Sequence, residues 1–139
     1  SFKTRWHADT GVMDKWFAVQ AGRSSGRRAV DVAWSLAKHP DFHWKTPNRF
    51  RSLVGAFGRN HAAFHDISGD GYKFVADWLM RLDPIIPQVA ARGTMMFKSW
   101  RRYDQDRQDM MEAQLNAILS QHGISRDTTE MVTRMLSPA

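Results

Sequence analysis

The 139-residue sequence contains no cysteine. This absence excludes disulfide frameworks, cysteine-ligated zinc sites, iron–sulfur clusters and thiol nucleophiles. Long hydrophobic runs are also missing, because charged residues interrupt each apolar stretch, as Asp77 and Arg81 do around residues 78–80. A membrane-spanning helix needs about 20 consecutive, mainly apolar residues. We therefore expect neither a transmembrane segment nor a membrane partner.

An initiator methionine and a secretory signal are absent from the first residues. The sequence begins at Ser1, and the segment after it has neither a charged n-region nor an apolar h-region. We therefore expect a processed product or an excised part of a longer protein.

Acidic residues are fewer than basic ones. Twenty Lys and Arg face fourteen Asp and Glu, which leaves a net charge of +6. Such an excess is typical of proteins that bind polyanions, but scattered solvated charge produces it as well. Acids are interleaved between three basic groups, formed by Arg23, Arg27 and Arg28, by Lys45, Arg49 and Arg51, and by Lys98, Arg101, Arg102 and Arg107. We expect solvated charge, and a basic helical module that binds nucleic acid through phosphate contacts is the alternative.

Apolar residues recur at helical spacing along most of the chain, and no β-hairpin signal interrupts them. Start and stop signals predict helices at about 27–38, 47–58 and 70–82, one from Pro87, a long one capped by Asp104, and a last one capped by Ser125 or Asp127. The sequence therefore predicts an all-α fold, one helical domain over residues 1–139. We expect a short α-solenoid of antiparallel helix pairs, an armadillo/HEAT-like superhelix.

Local patterns add three expectations about these helices. Val12, Trp16, Val19 and Gln20 share one face of the first helix, which we expect to end in the Gly- and Ser-rich residues 22–26. Thr46 is expected to cap the helix that Pro47 begins. Gly93 lowers helix propensity and predicts a break beside it.

Two sequence patterns resemble metal-binding sites but also have simpler interpretations. His61 and His65 lie four residues apart, the spacing that lets two histidines on a helix bind one metal ion. No third ligand is indicated, and histidine hydrogen bonding to the backbone is the simpler interpretation. Residues 66–77 resemble a calcium loop, yet Asp77 is too short for the final bidentate ligand and Lys73 adds a cation. We expect a loop that caps the next helix. Phosphate-binding and nucleophile motifs are absent as well, so the chain alone is not expected to be an enzyme.

Six unusual strings occur in one order, and together they cover nearly the whole chain. They resemble the C-terminal helical domain of bacterial aminopeptidase N, a zinc metallopeptidase that trims peptides from the amino end. The strings are MDKWFAVQ at 13–20, PNRFRSLVGAF at 47–57, AFH at 63–65, GDGY at 69–72, PQVAAR at 87–92 and RRYD at 101–104, which leads to Arg107 and Gln108.

The resemblance implies a division of labour within a longer polypeptide. The family's zinc-binding and catalytic motifs are not in this sequence, so zinc and catalysis would belong to an upstream portion, with no catalytic or metal residue here. This domain would be an α-solenoid that caps the cavity of the catalytic domain and limits which peptides enter. Its partners would be the catalytic and other domains of the same polypeptide and peptide substrates. The resemblance also implies a cytoplasmic location.

Three residues match positions that line the substrate cavity in the family. Gln88 and Arg92 match the polar pair of the family's P-Q-x-A-x-R string, and Arg51 matches a second cavity-side arginine. The spacing of Gln88 and Arg92 alone places them on one helical face. A guanidinium there could hold a peptide carbonyl or carboxylate. An exposed arginine in water is the simpler interpretation. Gly93 replaces a larger residue of the family and puts the local helix geometry in doubt. Asn48, Tyr103 and Asp104 are expected to be structural. Arg49 lies on a different side of its helix from Arg51 and ranks below the three site residues.

Overall fold

The computed structural model describes residues 10–23 and 27–138, and within them every regular element is helical, which confirms the all-α prediction. The chain divides into two compact units, Ser1–Phe64 and His65–Ala139. None of the helices in these described ranges combines the length and the apolar character needed to cross a membrane.

The first unit contains five described α-helices. Helices α1 (Thr10–Arg23) and α2 (Arg27–Ala37) come first. One continuous helical run follows, made of α3 (Pro47–Phe50), a π-helical segment (Arg51–Gly55) and α4 (Ala56–Arg59). The unit ends with α5 (His61–Phe64). The predicted helices at 27–38 and 47–58 are confirmed. The break expected at residues 22–26 falls partly outside the described residues, because 24–26 are not among them.

The buried face of α1 differs from the predicted one. Met13, Phe17 and Ala21 are buried, whereas Trp16 is 38% exposed and Val19 is 47% exposed. Both sets of residues fit helical spacing, so periodicity alone could not choose between them. The choice depends on distant residues, since the Phe17 ring lies 5.6 Å from the ring of Phe42.

A buried arginine joins α1 to the run at 47–59. The side chain of Arg49 is 5% exposed, and its Nε donates to Asp14 Oδ1 at 2.6 Å. Its guanidinium also donates to the carbonyl oxygen of Asp41 and lies 5.5 Å from the Phe17 ring centroid. Arg49 is therefore part of the interior, and the expectation of solvated charge was wrong for this member of the basic group Lys45, Arg49 and Arg51.

The second unit contains four α-helices and two 3-10 segments. They are α6 (Asp70–Leu82), α7 (Pro87–Gly93), the 3-10 segments Thr94–Phe97 and Trp100–Arg102, α8 (Gln105–Ser120) and α9 (Arg126–Leu136). Helix α7 packs against α6 and α9, and α8 packs against α6 and α9. The core of this unit includes Tyr72, Phe74, Leu79, Leu82, Phe97, Met111, Leu115, Ile118 and Val132.

Helix starts were predicted well, with one exception. The Asp104 side chain accepts from the Arg107 N–H, and the Ser125 hydroxyl accepts from the Thr128 N–H, each at 3.2 Å. The prediction for Thr46 was wrong, because its side chain makes no capping hydrogen bond. Its carbonyl accepts the Phe50 N–H at 2.9 Å, as the carbonyl of a helix N-cap residue does.

Candidate functional site

Helix α7 presents two of the three predicted site residues. Gln88 and Arg92 lie one turn apart on the same side of α7, and both are exposed. Within residues 10–23 and 27–138, neither side chain makes a hydrogen bond or an ion pair. Two large apolar residues flank them in the sequence, Ile85 at 43% exposure and Met95 at 38%. We call Ile85, Gln88, Arg92 and Met95 the α7 surface.

Close packing on α6 fixes the backbone beneath this surface. A Cβ atom at Gly93 would lie 2.4 Å from Leu79 Cδ2, which is too close for a larger residue without rearrangement. Gly93 has helical dihedral angles, φ −62° and ψ −28°, so the glycine is required by space and not by the backbone conformation. The α-helix ends at Gly93 and continues as a 3-10 segment from Thr94, which confirms the predicted break. The missing side chain at Gly93 therefore lets α7 lie close against α6.

The chain around α7 is positively charged. Residues 84–103 contain no acid and four basic residues, which are Arg92, Lys98, Arg101 and Arg102. The Arg101 guanidinium donates to the carbonyls of Met135 and Leu136. In the part of the chain that the structure describes, the other three are exposed and have no acidic partner. This segment is suited to attract carboxylates and other anions.

Arg51, the third predicted site residue, belongs to the first unit. It is exposed, and its guanidinium donates to Asn48 Oδ1 at 3.3 Å. Arg51 is also the first residue of the π-helical segment Arg51–Gly55. Short π-helical segments inside helices are rare and are found frequently at functional sites. Sequence pattern did not predict this segment, because Phe50, Leu53, Val54 and Phe57 fit ordinary helical spacing.

The ring of His65 lies against the rings of Tyr72 and Tyr103. His65 Nδ1 lies 2.7 Å from the Tyr72 hydroxyl, and the His65 ring stacks on Tyr103 with 4.1 Å between centroids. Arg107 Nε donates to the His65 carbonyl at 2.7 Å. Burial raises the pKa of Tyr72 well above its ordinary value, so the phenol stays protonated. The hydrogen bond from Arg107 lowers the pKa of Asp104. Tyr103 and Asp104 thus have the structural roles expected for them.

The metal-like patterns have structural explanations. In the loop before α6, the Asp66 carboxylate accepts the Ser68 N–H, and the Ser68 hydroxyl accepts the Asp70 N–H, each at 3.2 Å. Asp77 accepts from Lys73 at 3.3 Å. The described ranges hold no group of three His, Cys, Asp or Glu side chains that could bind a metal ion.

The described residues form an all-helical protein, and comparison with known proteins assigns the chain further. The family model described as "Domain of unknown function (DUF3458_C) ARM repeats" matches residues 1–137. The chain therefore belongs to this family. This assignment agrees with the armadillo-like fold expected from the sequence.

The relatives are aminopeptidases, and the chain matches their C-terminal region. It is 41% identical over 137 residues to aminopeptidase N of Caulobacter vibrioides and 39% identical over 137 residues to that of Escherichia coli. Each match covers 98% of this chain and 16% of the relative. A solved structure of Legionella pneumophila aminopeptidase A, in complex with aspartic acid, is similar with a TM-score of 0.88 and 37% identity, over 94% of this chain and 15% of that one. The chain thus spans about a sixth of the length of these relatives.

Proposed function

We propose that this chain is the non-catalytic C-terminal domain of a zinc aminopeptidase that removes N-terminal residues from peptides in the cytoplasm. The domain caps the active-site cavity and restricts which peptides enter. Zinc is held by another part of the polypeptide, together with the catalytic groups. The observation that carries the proposal is the match to aminopeptidase N over 98% of the chain.

The α7 surface supports a direct contact with peptides. Groups four residues apart on a helix are separated by about 5–6 Å, and groups on the same side of an extended peptide repeat at about 6.6–6.8 Å. Gln88 and Arg92 can therefore contact two successive same-side groups of one extended peptide. Arg92 supplies donors for a carbonyl or a terminal carboxylate, and the Gln88 amide supplies one donor group and one acceptor.

Arg51 is proposed as a further cavity-side arginine. Its side chain is exposed. Its guanidinium donates a 3.3 Å hydrogen bond to Asn48, which leaves other N–H groups of its five donors for a ligand. Its position at the start of a π-helical segment supports a functional role.

Nucleic-acid binding is the alternative function, and the acid-free residues 84–103 are the observation that favours it. Phosphate contacts would make the affinity fall steeply with salt. A filter-binding titration of the chain with duplex and single-stranded DNA at low and high salt distinguishes this alternative, since a peptidase domain gives no saturable binding.

The main experiment compares substrates of different length in the full-length gene product. Variants Arg92→Ala, Gln88→Ala and Arg51→Ala are assayed with a single-residue chromogenic amide and with peptides of two to eight residues. A hydrogen bond to a charged group contributes about 1.5–3 kcal/mol, so Arg92→Ala should raise KM for peptides by about 10- to 150-fold. The single-residue amide should be hydrolysed as before.

The matched control is Arg134→Ala, which removes an exposed arginine from α9 of the same unit. We expect its kinetics to equal those of the unchanged enzyme with every substrate. Peptide KM values that stay unchanged in all three variants would contradict the contact between these residues and the substrate.

A further inference from the structure

Both ends of the segment that carries Gln88 and Arg92 are attached to the same helix. Asp83, at the end of α6, is fully buried. Its carboxylate accepts three hydrogen bonds of 2.6 Å, from the Ser125 N–H, the Ser125 hydroxyl and the Thr128 hydroxyl. All three donors lie at the N-terminal end of α9. Asp83, the residue immediately before the segment 84–101, is therefore held at the start of α9.

The other end of the segment is held at the C-terminal end of α9. The indole Nε1 of Trp100 donates to the Met135 carbonyl at 3.1 Å. The Arg101 guanidinium donates to the carbonyls of Met135 and Leu136 at 3.2 and 2.9 Å and lies 4.5 Å from the Trp100 ring centroid. These contacts satisfy carbonyls that have no partner within a helix.

The physical chemistry of helix ends makes these attachments directional. A carboxylate is stabilised near a helix N-terminus and a cation near a C-terminus, since the backbone dipoles sum along the axis. Asp83 and Arg101 each lie at the favourable end of α9. An eleven-residue helix is about 16 Å long at 1.5 Å per residue, so α9 holds the two ends of the segment at a set separation.

We infer that α9 is a brace that positions Gln88 and Arg92, with Asp83 and Arg101 as positioning residues. The role in peptide binding rests on the proposed function, while the bracing itself does not. The brace keeps residues 84–101 in one conformation, so that Gln88 and Arg92 meet a substrate without first being ordered. Ordering a mobile segment during binding would weaken the affinity for peptides and would leave the chemical step unchanged.

The test uses hydrogen–deuterium exchange and kinetics on the full-length gene product. At the N-terminal end of α9, Asp83→Asn removes the charge of the accepting carboxylate, and Thr128→Val removes one of its hydroxyl donors. At the C-terminal end of α9, Arg101→Ala removes the exposed side chain that donates to the Met135 and Leu136 carbonyls. Each should speed exchange of residues 84–101 by about tenfold, equivalent to about 1.4 kcal/mol, and should leave α6 protected. Thr128→Ser retains the hydroxyl and should restore most of the protection. Ile118→Val, a truncation in the core of α8, is the control and should not change exchange in this segment.

The kinetic measurement separates positioning from general destabilisation. We expect Asp83→Asn to raise KM for peptides and to leave kcat and the hydrolysis of a single-residue amide unchanged. Combined with Arg92→Ala and Gln88→Ala, it should raise KM no further. Unchanged exchange at 84–101 in both Asp83→Asn and Arg101→Ala would overturn the brace, and so would an equal effect of Ile118→Val. If the brace variants speed exchange but Arg92→Ala leaves KM unchanged, the brace stands and the proposed function fails.

Discussion

Replacing Gly93 with alanine tests how closely α7 lies against α6. A Cβ atom at this position would be 2.4 Å from Leu79 Cδ2, whereas carbon atoms in contact prefer about 3.5–4.0 Å. Leu79 is 1% exposed, so its methyl group cannot move aside without displacing other core atoms. The new methyl group therefore overpacks the interface between the two helices.

The expected size of the effect follows from two opposing contributions. Overpacking a well-packed core costs about 1–3 kcal/mol. Alanine is better than glycine inside a helix by about 0.8–1.0 kcal/mol, and the helical dihedral angles of Gly93 allow that gain. The net expectation is that Gly93→Ala lowers the free energy of unfolding by about 1 kcal/mol. Helix propensity alone predicts a change of the opposite sign.

Urea denaturation of the 139-residue chain, followed by circular dichroism, measures this change. Gly22→Ala is the matched control, because no atom lies within 4 Å of a Cβ at that position of α1, and it should stabilise the chain by up to about 1 kcal/mol. In a Leu79→Ala background the obstruction is gone, so Gly93→Ala should become stabilising. A Gly93→Ala chain as stable as the original, with the Leu79 residue intact, would refute the close approach.

Three further predictions concern the stability of the chain. Arg49→Ala leaves the Asp14 carboxylate without its 2.6 Å partner. The free energy of unfolding, measured by urea denaturation, should fall by about 3 kcal/mol. This value is the lower end of the range for a broken buried pair, because Asp14 keeps some access to water. Ser125→Ala removes a helix cap and should lower the free energy of unfolding by at least about 1 kcal/mol. Thr46→Ala should change it by less than about 0.5 kcal/mol, because the Thr46 side chain caps nothing. Equal losses in the two variants would contradict the assignment of the caps. The raised pKa of Tyr72 means that the unfolded chain ionises first, so this contribution to stability is complete below pH 10 and falls as the pH rises above about 10. Tyr72→Phe should flatten this decline between pH 9 and 11, and an equally steep decline in the variant would show that Tyr72 is not its cause.

Local signals were sufficient to predict where most helices begin and end. Pro47, Asp104 and Ser125 act on the backbone within a few residues of themselves, and the structure places helix starts next to each of them. The buried face of α1 was beyond such signals, because the stripe with Trp16 and the stripe with Phe17 have the same period. Which stripe is buried depends on residues far along the chain.

The contacts that hold the candidate site together were also not predictable from local pattern. Asp83 and Thr128 are 45 positions apart, and Trp100 and Met135 are 35 apart, so no spacing rule connects them. The shared face of Gln88 and Arg92 did follow from their spacing. Their assignment to a substrate cavity came only from the resemblance to aminopeptidase N and stays a prediction.

The most direct test of the central claim measures the accessibility of residue 88. The 139-residue chain has no cysteine, so Gln88→Cys introduces the one thiol of this domain, and Arg134→Cys places a control thiol on an exposed position of α9. Both are made in a full-length gene product whose cysteines outside this domain have been replaced by serine, and both are reacted with a small maleimide and with a bulky polymer-linked maleimide. If the domain caps a cavity, the thiol at 88 reacts with the small reagent, resists the bulky one and is protected by a peptide inhibitor, while the thiol at 134 reacts with both. Equal reaction of both thiols with the bulky reagent, unaffected by the inhibitor, would contradict the account.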